Sequence, residues 1–361
     1  MRMTRAKVQP KHEERAGVYE RFRRMNISIL DLCRVRQGSD IRGALDDARD
    51  LAALAETLGY TRFWVAEHHN MPGVGSAATS VVIGHIAAGT QSIRVGAGGI
   101  MLPNHAPLII AEQFGTLASL FPDRIDLGLG RAPGTDGITM QAMRRDPMAS
   151  DRFPQDVLEV QALLGPLQPG QRVQAVPGTD TNVPLWILGS SLFGAQLAAQ
   201  LGLPYAFASH FAPAALIPAL QIYRERFQPS PQLARPYAMI GVNIIAADTD
   251  AEARRLATTQ QMSIINLFRN HRGLSQPPID DIATYGSPLE VMQIESFLAR
   301  SIIGSRETVA QGIEALVAET QADELMIVSD VFDKEARHHS MALIAQAAGA
   351  PSPAVGPLQQ R

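Results

Sequence analysis

Lysine is nearly absent from the 361 residues. It occurs at Lys7, Lys11 and Lys334, against 32 basic residues in all, so arginine carries almost the whole positive charge. Chemistry that begins with a Schiff base needs a lysine amine inside the fold. Only Lys334 lies in the body of the chain, which sets aside the aldolase and pyridoxal-phosphate classes. Cysteine is scarcer still: a lone Cys33 excludes an internal disulfide and a Cys-based zinc cage, and it suits a reducing, cytoplasmic setting. No run approaches the ~20 apolar residues that span a bilayer, and the basic N-terminus lacks the apolar centre of a signal peptide. A net charge of −3 speaks against nucleic acid as a partner. Two motifs are also missing. There is no His-x-His, and the turn after the first strand, Arg34-Val35-Arg36-Gln37-Gly38, is not a dinucleotide-binding Gly-x-Gly-x-x-Gly loop.

What is present is a strict alternation. Apolar runs of strand length at 26–32, 62–66, 93–97, 124–130, 184–188, 205–208, 238–245 and 324–328 are each followed by helical spacing. Eight β/α units predict a parallel sheet closed on itself, a (β/α)8 TIM barrel, with a mostly helical insertion between strands seven and eight at 249–320. Residues 173–176 read as a further short strand. The barrel is expected over 26–350. Residues 1–25, which carry eight basic and three acidic side chains, read as a flexible arm, and 351–361 as a disordered tail.

In such a barrel, reactive groups stand at the C-terminal ends of the strands. Glu67-His68-His69 follows the second strand. Neighbouring strand residues point to opposite faces, so one histidine faces the mouth and a shared metal is disfavoured. Gly98-Gly99 leaves the end of strand three without side chains. That suits either close packing or a bulge, or a backbone lying against a flat ring, where a cis peptide is conceivable. Arg131, between glycines, offers a planar cation for phosphate. Gly189-Ser190-Ser191 opens a helix with backbone N–H groups and hydroxyls. Together these residues describe a flat, phosphorylated cofactor across the mouth.

These segments resemble the bacterial-luciferase-like flavin monooxygenases. The resemblance rests on Trp64-Val65-Ala66-Glu67-His68-His69, residues 98–107, residues 124–134, Gly189-Ser190-Ser191 with Ala198-Ala199-Gln200-Leu201-Gly202-Leu203-Pro204, and Gly304-Ser305-Arg306-Glu307-Thr308-Val309. It is nearest to a single-chain branch of that family. It implies reduced FMN at the barrel mouth, His68 as the catalytic histidine, and Gly98-Gly99, joined by a non-proline cis peptide, beneath the flavin ring. It implies phosphate contacts from Arg131, Gly189, Ser190 and Ser191, and a place near the substrate for His210, with a weaker match at His105. Gly130 stands where luciferases carry a reactive cysteine.

The resemblance further implies an FMN-dependent monooxygenase that oxidises a small organic substrate with O2. A separate reductase would supply reduced FMN, and the chain would form a cytoplasmic homodimer. Alternatives are a deazaflavin-dependent hydride-transfer oxidoreductase of the same fold, a non-catalytic flavin-binding protein and a metal-dependent barrel hydrolase. The substrate pocket is expected from the loop after strand four and the 260–300 segment, with Met262, Phe268 and Phe297 as candidate lining.

Overall fold

The computed structural model describes residues 25–349, so the tail and all but the last residue of the arm lie outside it. The strands are β1 (Asn26–Asp31), β2 (Arg62–Val65), β3 (Arg94–Met101), β4 (Ile125–Gly130), β5 (Leu185–Gly189), β6 (Tyr205–Phe207), β7 (Ala238–Ala247), β8 (Ile302–Ser305) and β9 (Glu324–Val328). All pair in parallel. β1 through β7 follow one another round the sheet, and β9 bonds to both β7 and β1, which closes an eight-stranded TIM barrel. Around it run α1 (Ile41–Thr57), α2 (Thr79–Ala88), α3 (Pro107–Leu120), α4 (Gly137–Ala142), α5 (Phe153–Leu164), α6 (Leu192–Leu201), α7 (Leu216–Arg226), α8 (Asp250–Phe268), α9 (Pro288–Phe297), α10 (Arg306–Thr320) and α11 (Lys334–Ala347).

Local chemistry explains the elements. In α1 the Asp40 carboxylate caps the Gly43 N–H, and Ala44, Ala48, Leu51, Ala52 and Ala55 put one stripe into the core. Outward-facing strand residues and the helices share a large core that includes Phe63, Phe114, Ile187 and Phe207. Inward-facing residues fill the barrel with a second, smaller core, among them Leu30, Trp64, Trp186, Met239 and Met326. Trp64 and Trp186 meet edge to face at 5.1 Å.

A buried ionic plug closes the N-terminal end. Arg62 bonds Asp126 at 2.7 Å and Glu324 at 3.1 Å and lies 4.8 Å over the Trp186 ring. The Trp64 indole N–H donates to Asp126 and the Tyr237 hydroxyl to Glu324.

The insertion between the seventh and the last strand is mostly helical, as expected, through α8, α9 and α10; it also holds β8, because β7 runs for ten residues. Its first half pairs with β9, while Ile244–Ala247 project past β9 and pair with β8. Residues 173–176 form no strand; they lead into a cis Val176–Pro177 peptide.

Candidate functional site

Glu67 follows β2 with its carboxylate buried. It accepts from His69 Nε2 at 2.7 Å, His105 Nε2 at 2.9 Å, the Met101 N–H at 2.9 Å and Asn104 Nδ2 at 3.3 Å. Burial alone would raise its pKa. The His105 and His69 bonds outweigh that and hold it down at about 2, so the carboxylate stays ionised. His69 is raised in return, chiefly by the Glu67 bond.

His68 points the other way. Its Nδ1 lies 3.4 Å from the Gly134 carbonyl. A carbonyl only accepts, so Nδ1 carries the hydrogen and the neutral ring keeps its lone pair on Nε2. Gly134 reaches that position through a left-handed turn at φ 62°, and a Cβ there would press on the Glu67 carbonyl at 3.1 Å. Burial lowers the His68 pKa. The two adjacent histidines therefore serve different partners rather than one ion.

His210 follows β6. Its pKa is pushed down to about 4, first by burial and then by proximity to His68. Its Nδ1 is buried without a hydrogen-bond partner. The ring fits because position 241 on β7 is glycine; a Cβ there would collide with His210 Nδ1. Below it, Asn243 Nδ2 donates to the His210 carbonyl and Gln260 Nε2, from α8, donates to Asn243 Oδ1, both at 2.7 Å.

The peptide between Gly98 and Gly99 is cis, and the β3–β4 register shifts between Ala97 and Ile100. A Cβ on Gly98 would meet Leu30 at 2.6 Å, and one on Gly99 the Gly128 carbonyl at 2.6 Å. Packing at a bulge by itself therefore demands glycine at 99, where the obstacle is backbone, and favours it at 98, where the Leu30 side chain would have to move. At Gly130 a Cβ would meet the Met101 sulfur at 3.0 Å, so a thioether fills the place of a side chain there. Cys33 is buried in the outer core, with its thiol pKa raised by burial, and does not reach the mouth.

Arg131 and the Gly189-Ser190-Ser191 turn come together. The Arg131 guanidinium stacks 4.2 Å over Phe193, the second residue of α6. Ser191 is the N-cap of α6, and its hydroxyl makes no capping bond. The first-turn N–H groups thus keep their donors for an anion, beside a positive charge. α6 crosses β5 closely at Gly189, where a Cβ would press on the Tyr205 hydroxyl at 3.2 Å and on Gly194 at 3.3 Å. Anion donors at the rim and a free histidine nitrogen fit a phosphorylated flavin.

Phe268 and Phe297 border a cavity of about 1060 Å³ together with Phe211. Met262 is buried elsewhere, and the loop after β4 does not line that cavity. Sequence reasoning assigned no role to Asn104, Arg34 or the segment around Gly273–Ser275, and named His105 without its partner. Asn104 and His105 are brought onto Glu67 by a 3₁₀ turn at Leu102–Asn104. Arg34 lies 3.3 Å from Asp330 and close enough to His68 to oppose its protonation. The segment around Gly273–Ser275 is stitched to the loop after β1 through bonds between Val35 and Ser275 and between Gln37 and Ser275, and to the loop after β4 through an Arg272–Asp136 pair at 2.9 Å.

The luciferase-like monooxygenase profile matches residues 25–324. A luciferase-like monooxygenase of Escherichia coli K12 is 50% identical over 317 residues, covering 88% of this chain and 95% of that one. The crystal structure of apo-MsnO8 superposes with a TM-score of 0.83 at 35% identity over 91% of this chain and 99% of that one. Two remoter structures share the fold. One is the oxygenating constituent of 3,6-diketocamphane monooxygenase from Pseudomonas putida in complex with FMN (TM-score 0.67, 18% identity, 91% and 98% covered). The other is an F420-dependent secondary alcohol dehydrogenase (TM-score 0.65, 14% identity, 90% and 98% covered). The chain therefore belongs to the luciferase-like monooxygenase family.

Proposed function

We propose that the chain is an FMN-dependent monooxygenase that receives reduced flavin from a separate reductase and uses O2 to oxidise a small organic molecule. The observation that carries this reading is the open N-terminus of α6 under Arg131, on the same rim as the free Nε2 of His68. Arg131 with the Gly189-Ser190-Ser191 turn would hold the flavin phosphate, and the Gly98-Gly99 edge would lie against the ring. When bound, reduced FMN supplies the electrons for oxygen chemistry.

The chain's own part is acid–base work and protection. His68 stays neutral at pH 7 and accepts or holds a proton at Nε2. Its orientation is fixed through Nδ1, and the Glu67 cluster fixes the loop that carries it. The segment around Gly273–Ser275 helps keep water from the rim. The absence of a dinucleotide-binding loop after β1 supports a separate reductase.

The test is anaerobic titration of the full chain with reduced FMN and, separately, with reduced deazaflavin, followed by admission of air. Tight binding of FMN and O2 uptake coupled to product formation are expected. Tight binding of deazaflavin alone would turn the assignment to hydride transfer.

We also infer a homodimer, in keeping with a cytoplasmic enzyme. Thr79–Ala88 of α2 carries no formal charge outside His85, yet Val81 is 72% exposed and Ile109 of α3 45%. Large apolar side chains left exposed on neighbouring helices call for a cover. Val81→Asp should halve the mass measured by analytical ultracentrifugation; an unchanged mass would refute the interface. Among the described residues no helix is long and apolar enough to cross a membrane.

A further inference from the structure

The cavity beside the rim lies between the loop after β6 and the insertion, and its lining has a distinct chemistry. Phe211, Phe268 and Phe297 present aromatic surface to it, with Pro213 alongside. Phe268 and Phe297 meet edge to face at 5.7 Å. Phe211 and Phe268 remain 44% and 43% exposed, although burying a ring of that size is favourable. Rings left uncovered around a concavity mark a site for an apolar ligand.

Charge narrows the ligand further. The charged residue in the lining is Arg300, and both of its terminal nitrogens are spent on the Glu319 carboxylate, at 2.6 and 2.9 Å. A guanidinium held in this two-point way has its charge compensated. What is left for a ligand's polar group is the Gln293 amide and the neighbouring Ser296 hydroxyl, which suit a neutral hydroxyl, carbonyl or amide. An anionic head would find no uncompensated cation.

The position links the cavity to the histidines. Phe211 packs edge-on against His210 with ring centroids 4.7 Å apart, and His210 in turn lies near enough to His68 to lower its own pKa. One aromatic ring therefore separates the cavity from the two rim histidines.

We propose that this cavity binds a neutral, largely apolar organic molecule carrying one uncharged hydrogen-bonding group, with Phe211 setting how far that molecule reaches toward His210. Naming the molecule as the substrate rests on the monooxygenase reading above; its binding does not require the flavin.

The test titrates the full chain, without flavin, with 2-naphthol as a neutral probe and 2-naphthoate as its anionic counterpart, read by probe fluorescence anisotropy. Saturable binding of one 2-naphthol per chain is expected, with the naphthoate weaker by about tenfold or more. Phe268→Ala and Phe297→Ala should each weaken 2-naphthol by about tenfold and leave the reduced-FMN titration unchanged. Lack of saturation by about 1 mM, equal affinity for the anion, or unaltered binding in both variants would overturn the proposal. The anion comparison is made on the unaltered protein, so it stands even if a variant folds poorly. Failure of the unaltered chain to bind reduced FMN would remove the monooxygenase reading and leave this binding result in place.

Discussion

Replacing Glu67 with glutamine keeps the shape of the side chain and removes the charge that His69, His105 and the Met101 N–H all address. The magnitude follows from the carboxyl itself. Holding it at about 2 instead of its ordinary 4.5 corresponds to about 3 kcal/mol, in line with the ~3–5 kcal/mol lost when a buried ionic partner is removed. The sign with pH is fixed. A carboxyl with a depressed folded pKa contributes fully above its unfolded value and loses that contribution as pH falls through the folded one. The gap in stability between the natural chain and Glu67→Gln should therefore be full near pH 5.5 and shrink between about pH 4.5 and 2. His69 acts on the other side. Its pKa is raised by the same bond, so its share is complete below about 6.5 and fades as pH rises through its folded value. Urea unfolding, followed through Trp64 and Trp186 inside the barrel, reads both limbs. A gap below about 0.5 kcal/mol at pH 5.5, or one that is constant down to pH 3, would refute the reasoning.

Three further outcomes are expected. His68→Ala should lower turnover by about 10²–10⁴-fold while FMN titration stays unchanged. In the natural chain the acid limb of the rate profile should fall below pH 6.5, because burial lowers the His68 pKa; a limb above that value would contradict the assignment. Arg131→Ala should weaken FMN by about 10–100-fold, measured by equilibrium titration, and leave the melting temperature within about 2 °C, since the side chain is exposed. Gly241→Ala should displace the His210 ring, seen as a shift in the His210 imidazole NMR signals and in its titration from about 4.

Much of this was legible before any coordinates. Barrel strands are buried on both faces, so they stand out as apolar runs, and the alternation of strand and helix follows. Arg131 and Gly189-Ser190-Ser191 were legible as anion-binding types, and the structure brings them together across Phe193. The Glu67 cluster was only half legible. His69 is two residues from Glu67, but His105 and Asn104 arrive through a 3₁₀ turn nearly forty residues away, and no local pattern announces such a meeting. β8 was hidden because four residues inside a helical stretch carry too little periodicity; it exists because the upper half of β7 offers unpaired backbone. The glycine pair was ambiguous for a sound reason. The close approach of the Gly128 carbonyl demands glycine at 99, and that of Leu30 favours it at 98, whether or not a ligand lies there.

The plug of Arg62, Asp126 and Glu324 under Trp186 makes the barrel a vessel with one opening. Under the function proposed above, flavin and substrate would both enter and leave by the rim, the deeper of the two entering first.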